Sequence, residues 1–214
     1  MKEIDVVLTD YGLAMLCFVA AYLILGNRSG NRTLVLWFSI LFSSVGLAAF
    51  IGGTVHGFVH ENTLVHKILW RGTIISIGVS ALSAWAIGAN ITFSPVIRKV
   101  ILGLASVNFT IYFAYVVLFN QSFGVAVVNY LPAALFLLIV FANAYKRSLD
   151  RLALFALIGL ISTFIAAGIQ QLEISLHTKY FNHNALYHVV QAGGLYLIFL
   201  GSKYLVKSGG HNHK

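Results

Sequence analysis

Of the 214 residues in the chain, 59% are hydrophobic and only 9% are charged, where a soluble domain carries about a quarter charged. Such a chain cannot solvate its own surface, which excludes a water-soluble enzyme, a nucleic-acid-binding domain and a disordered protein. The formal charge of +8 does not point to nucleic acid either, because the basic residues fall in short gaps between long apolar runs, as in a polytopic membrane protein.

A helix needs about 20 apolar residues to cross a bilayer, and the charge-poor intervals supply seven. Taken in chain order, they predict helix 1 at 4–26, helix 2 at 33–59, helix 3 at 65–90 and helix 4 at 95–119. Helix 5 follows at 123–146, helix 6 at 149–176 and helix 7 at 184–207. The uncharged stretch between Lys99 and Lys146 is too long for one span, and Asn120-Gln121-Ser122 with Gly124 marks the turn within it. Pro95 suits a first helical turn. Glu3 and Asp5 beside Lys2, with no small-residue cleavage site after a short apolar region, argue for a retained first span rather than a signal peptide. The expectation is therefore an all-α polytopic membrane protein. One seven-helix transmembrane domain spans 1–207, and a short flexible cytoplasmic tail follows at 208–214 with His211 and His213. Cys17, the only cysteine, has no partner for an intrachain disulfide.

Lys and Arg set the sidedness. Arg28, Arg32, Arg98, Lys99, Lys146, Arg147, Arg151, Lys203, Lys207 and Lys214 all fall on one side; the other has Lys2, Lys67 and Lys179, with Arg71 just inside helix 3. The positive-inside rule then places the N-terminus outside and the C-terminus in the cytoplasm. The compact loops lean towards a bacterial inner membrane, with the outer side facing the periplasm.

On that topology the polar residues form one layer near the outer ends of the helices. Asp10 lies one to two turns into helix 1, and His56 and His60 lie in the last turns of helix 2. Arg71 is in helix 3 and Asn129 in helix 5. Gln170, Gln171 and Glu173 close helix 6, and Asn184, His188 and Gln191 open helix 7. Ionisable groups at membrane depth are costly unless paired or hydrated, and they mark cavities and sites. The layer predicts a polar cavity open to the outside. An Asp10–Arg71 ion pair plus interhelical hydrogen bonds is the simpler reading for any one residue.

Spacing sharpens the candidates. His56 and His60 are i and i+4; Asn184, His188 and Gln191 are i, i+4 and i+7; Gln170 and Glu173 are i and i+3. Each set shares a helix face. Gly52 and Gly53 below His56 leave room for a close helix or a ligand. Histidine is the commonest metal ligand, and three such nitrogens plus water is a usual catalytic zinc arrangement. His56 and His188 are the leading ligands, each about a turn inside the membrane. Gly72, Ser76, Ser80 and Ser83 form a small-residue stripe that reads as a packing face. Trp70 and Tyr204 read as interfacial belt residues, and Asn108 as an interhelical hydrogen bond. Helix 7 has no mid-membrane lysine for a retinal Schiff base.

Seven spans, Gly53-Thr54-Val55-His56 near the outer end of helix 2, and Asn184-Ala185-Leu186-Tyr187-His188 followed by Gly194-Leu195-Tyr196-Leu197 in helix 7 resemble the superfamily of alkaline ceramidases and progestin/adiponectin receptors. Thr9-Asp10, Gly52 to Gly57 and His183 to Gln191 are also similar to bacterial seven-span proteins with the same pattern. The ceramidase resemblance implies a zinc ion held by one His of helix 2 and two of helix 7, with a Ser and an Asp nearby. Here residue 52 is Gly where that Ser would stand, Thr54 being the nearest hydroxyl. Residue 184 is Asn where the first helix-7 His would stand, which leaves His60 or His183 as the third ligand.

The functional expectation is a zinc-dependent hydrolase of a lipid-like amide or ester, working among membrane lipids. Asp10 or Glu173 would act as general base, and Arg71 or Thr54 would hold the oxyanion. The alternative is a seven-helix receptor or sensor that binds a small ligand or metal at the outer face. A haem protein using His56 and His188, or a transporter, is a third possibility, but the inner half offers no polar path.

Overall fold

The computed structural model describes residues 3–28, 30–61, 63–177 and 180–208. Seven helices run in chain order: α1 (Ile4–Leu25), α2 (Arg32–Phe58), α3 (Leu64–Thr92), α4 (Pro95–Leu118), α5 (Phe123–Ser148), α6 (Arg151–Gln171) and α7 (His183–Ser208). All seven are long and apolar enough to cross a membrane, so the chain is an integral membrane protein. Residues 209–214 of the expected tail lie outside the described residues, as do Lys2 and Lys179.

The helix ends follow their residues. Asn31 accepts from the amides of Thr33 and Leu34 to open α2, and the Asp150 carboxylate accepts from Leu152 at 2.7 Å to open α6. Thr63 accepts from the His66 amide at the start of α3, and Asn182 from the Ala185 amide at the start of α7. Each cap satisfies donors that a helix start leaves unpaired.

Most ends shift from the sequence expectation; three of the shifts matter here, and two of those move candidate residues. First, α2 stops at Phe58, and Val59 is extended (φ −108°, ψ 132°). The chain turns there because Thr63, which caps α3, also donates to the His60 carbonyl at 2.8 Å. His60 therefore leaves the helix and does not share a face with His56. Second, α6 stops at Gln171. The Ile174 amide donates to the Ile169 carbonyl and the Glu173 amide to the Gln170 carbonyl, with Glu173 left-handed at φ 53°. This is the Schellman ending. Glu173 sits past the helix, exposed, off the face that carries Gln170. Third, Leu149 is not the start of α6 but the left-handed cap of α5.

Packing closes a ring: α1 on α2, α2 on α3, α3 on α5, α5 on α6, α6 on α7, and α7 back on α1. Within the set, α4 packs on α3 from outside the ring and buries only Ala105, Tyr112 and Val116. Between helices in lipid, small residues allow the close approach that dispersion forces need. A Cβ on Gly194 of α7 would stand 2.7 Å from the Gly159 carbonyl oxygen of α6, and one on Gly53 of α2 would stand 2.8 Å from the Asp10 Cβ of α1. The buried core runs through the ring, with Phe38, Phe42 and Phe141 among its largest fully enclosed side chains.

Candidate functional site

Inside the ring lies a cavity of about 380 Å³, reached by residues of α1, α2, α3, α5, α6 and α7. Asp10, His56, His188, Gln170, Gln171, Asn184 and Gln191 line it at the end where α1 and α7 begin. Below them the wall is largely apolar and extends to Leu137, Leu160 and Ile198, with Ser80 and Thr163 donating their hydroxyls to carbonyls of their own helices. The cavity is thus a largely apolar slot with a polar head. Leu131 on α5 and Ala167 on α6 are the two apolar lining residues that are exposed.

At the head, Asp10 is 3% exposed. Its Oδ1 lies 3.2 Å from His188 Nε2, and His188 Nδ1 lies 3.3 Å from Thr9 Oγ1. Thr9 owns one hydroxyl hydrogen, and the carbonyls of Asp5 and Val6 stand 2.9 and 3.0 Å from its oxygen, as acceptors within its own helix. With the hydrogen donated there, the oxygen accepts from His188 Nδ1–H, and Nε2 turns a lone pair towards Asp10. This assigns the tautomer from the hydrogen-bond network. Two acceptors at 3.2 Å need a proton or a cation between them.

His56 also has a carboxylate partner: its Nδ1 is 3.2 Å from Glu3 Oε2, so that Nδ1–H donates to the carboxylate. Trp70 stands edge-on to the His56 ring, 6.2 Å between centroids. It fixes its own place by donating its indole N–H to the Gln121 carbonyl at 2.9 Å. At the loop end of α7, the Asn182 amide donates to Asp5 Oδ2 at 3.0 Å, which fastens α7 to α1 beside the Asp10–His188 pair.

The donor set fits a metal in kind. An edge of about 3.3 Å joins two ligands of a tetrahedral zinc site with bonds near 2.0 Å, close to the Asp10–His188 separation. A ligating histidine ordinarily gives its other nitrogen to a carboxylate, carbonyl or water; here Glu3 and Thr9 hold the two Nδ1 atoms. Even so, among the described residues no three His, Cys, Asp or Glu side chains are gathered as a closed cage.

The remaining candidates fall elsewhere. His60 is exposed past α2, and His183 is the first residue of α7, one position out of step with the lining residues Asn184, Tyr187, His188 and Gln191. Arg71 does not line the cavity; Trp70 and Thr73 present that face of α3, and Arg71 Nε is buried without a hydrogen-bond partner. The expected Asp10–Arg71 pair gives way to Asp10–His188. Thr54 ties α2 to α1 through the Tyr11 hydroxyl at 3.1 Å and donates to the Phe50 carbonyl. Asn129 accepts from Asn108 at 2.9 Å, outside the cavity.

The sequence reading passed over Glu3, Thr9 as a partner of His188, and the walls made by Tyr130 and Tyr187. One signal was available: Glu3 is the residue just before α1, at the end of that helix nearest Asp10.

No curated protein and no solved structure matches the chain. The profile of one family covers residues 6–207, nearly the whole bundle and every residue that lines the cavity head, so the chain belongs to the family of unknown function DUF6962.

Proposed function

We propose that the cavity is the active site of a metal-dependent intramembrane hydrolase acting on a lipid-like amide or ester. Asp10, His188 and His56 are the residues that would hold zinc. The observation that carries the reading is the buried Asp10–His188 pair, its outer nitrogen tied to Thr9, at the head of a largely apolar slot.

The slot takes the acyl chain, which enters from the bilayer between Leu131 and Ala167. The scissile carbonyl then lies at the polar head, where the side-chain amides of Gln170, Asn184 and Gln191 can donate to its oxygen. When bound, zinc supplies a water whose pKa falls to about 7. Asp10 Oδ2, 3.8 Å from where a Gly52 Cβ would be, accepts the proton lost by the attacking water. It returns that proton to the departing nitrogen or oxygen as the carbonyl–heteroatom bond breaks. The products are a fatty acid and an amine or alcohol. The distribution of basic residues under the positive-inside rule supports a head on the outer side, which in a bacterial inner membrane is the periplasm.

The test is metal content of the detergent-purified full chain, with turnover of a panel of ceramides, other lipid amides and lipid esters. About one zinc per chain, lost in His188→Ala, is expected by the three-donor reading. Asp10→Asn should lower turnover by about 10²–10⁴-fold, the usual contribution of a positioned acid–base group. Zinc-free protein without hydrolysis would sink the proposal. A second reading, a receptor that holds the same lipid-like ligand without turnover, is favoured by the absence of a closed three-donor cage among the described residues. It would show as saturable lipid binding, abolished by His188→Ala, with no product.

A further inference from the structure

At the opposite end of the bundle a second groove, of about 220 Å³, lies between α1 and α7. Leu23 and Asn27 form one side; Phe199, Lys203, Val206 and Lys207 form the other. Lys203 and Lys207 are i and i+4, on one face of α7. The Lys203 ammonium lies 4.7 Å from the centroid of the Phe199 ring, a cation–π contact that holds the charge against an apolar floor. The floor is anchored where the Asn31 amide donates to the Val206 carbonyl at 2.9 Å. Among the described residues no Asp or Glu lines the groove.

Two ammonium groups with no carboxylate among them are complementary to a phosphate. The apolar half of the groove decides which phosphate. Leu23 is 52% exposed and Val19, one turn along, is 47% exposed, so the groove runs into an uncovered apolar strip of α1. A free phosphate would leave that strip uncovered, whereas a lipid covers it with its acyl chains. We propose that this groove binds the headgroup phosphate of an anionic phospholipid, with its acyl chains along α1. Basic pockets between helices at the cytoplasmic ends are the usual form of such sites. The proposal is independent of the hydrolase reading, which concerns the other end of the bundle.

The experiment is native mass spectrometry of the detergent-solubilised full chain titrated with phosphatidylglycerol, phosphatidylcholine or inorganic phosphate, with thermal unfolding in parallel. One phosphatidylglycerol should be retained, and phosphatidylcholine should not. At about 1 kcal/mol for each basic residue near an anionic surface, the double variant Lys203→Gln/Lys207→Gln should bind about 30-fold more weakly. Lys203→Arg/Lys207→Arg should restore binding, and Arg98→Gln/Lys99→Gln, which alters charge at the same end but outside the groove, should not weaken it. Equal loss in the Arg98/Lys99 variant would overturn the proposal by reducing it to general surface attraction. Full stabilisation by inorganic phosphate, or equal retention of phosphatidylcholine, would also overturn it. If the glutamine pair fails to fold, the singles Lys203→Gln and Lys207→Gln decide: each should lose about 5-fold, and no loss in either would overturn the site.

Discussion

Thr9 spends its one hydrogen on its own helix and its oxygen on His188 Nδ1. Thr9→Val removes that oxygen with little change in volume and frees the imidazole to take the other tautomer. Loss of an outer partner of this kind costs 10–100-fold in metal affinity, so zinc titration of Thr9→Val should show a weakening of roughly that size. Glu3→Gln should act in the same direction through His56. Tyr11→Phe, which breaks only the Tyr11–Thr54 tie, should leave zinc affinity where it was. An equal loss in Tyr11→Phe would mean that all three act through helix packing rather than through the two imidazoles.

Among the helices, close approach decides where the site side chains end up. Gly53 brings α2 onto α1 beside Asp10, and a side chain there collides with the Asp10 Cβ. Gly53→Leu should cost about 1–3 kcal/mol, the range for overpacking. It should also displace Asp10 from His188, visible as loss of both thermal stability and zinc although Gly53 is no ligand. The proposed side entry belongs to this scale as well, since α5 and α6 each give one exposed apolar lining residue, Leu131 and Ala167. Ala167→Phe narrows it. A long-chain substrate should slow, with a short-chain ester unaffected. Equal slowing of both would place the route of access elsewhere.

Across the whole molecule, six helices form the ring that encloses the slot, and α4 stands outside it. The span count was legible from hydropathy alone, and so was the level of the polar layer. Sidedness has a direct test, because Cys17 is fully buried and should remain silent to thiol reagents. In intact cells, Ser122→Cys should react with an impermeant maleimide. Lys99→Cys should react only after the membrane is opened. The reverse pattern would invert the topology and put the cavity head in the cytoplasm.

Hydropathy is local, and a bilayer demands long unbroken apolar helices. The sequence by itself therefore determined seven spans, their ends to within a few residues, and the gathering of Asp10, His56, Gln170, Asn184, His188 and Gln191 at one depth. Where an end depended on a turn rather than on hydropathy, the reading ran long, and His60 and Glu173 were carried onto helices that stop before them. Depth says nothing about the direction in which a side chain points. Only the tertiary structure decided that Asp10 faces His188 and not Arg71, that His183 and Asn129 miss the cavity, and that Glu3 reaches His56. Those outcomes depend on how each helix is rotated about its axis. In lipid that rotation is fixed by where glycines let neighbouring helices close in, a property of pairs of helices that no single stretch of sequence contains.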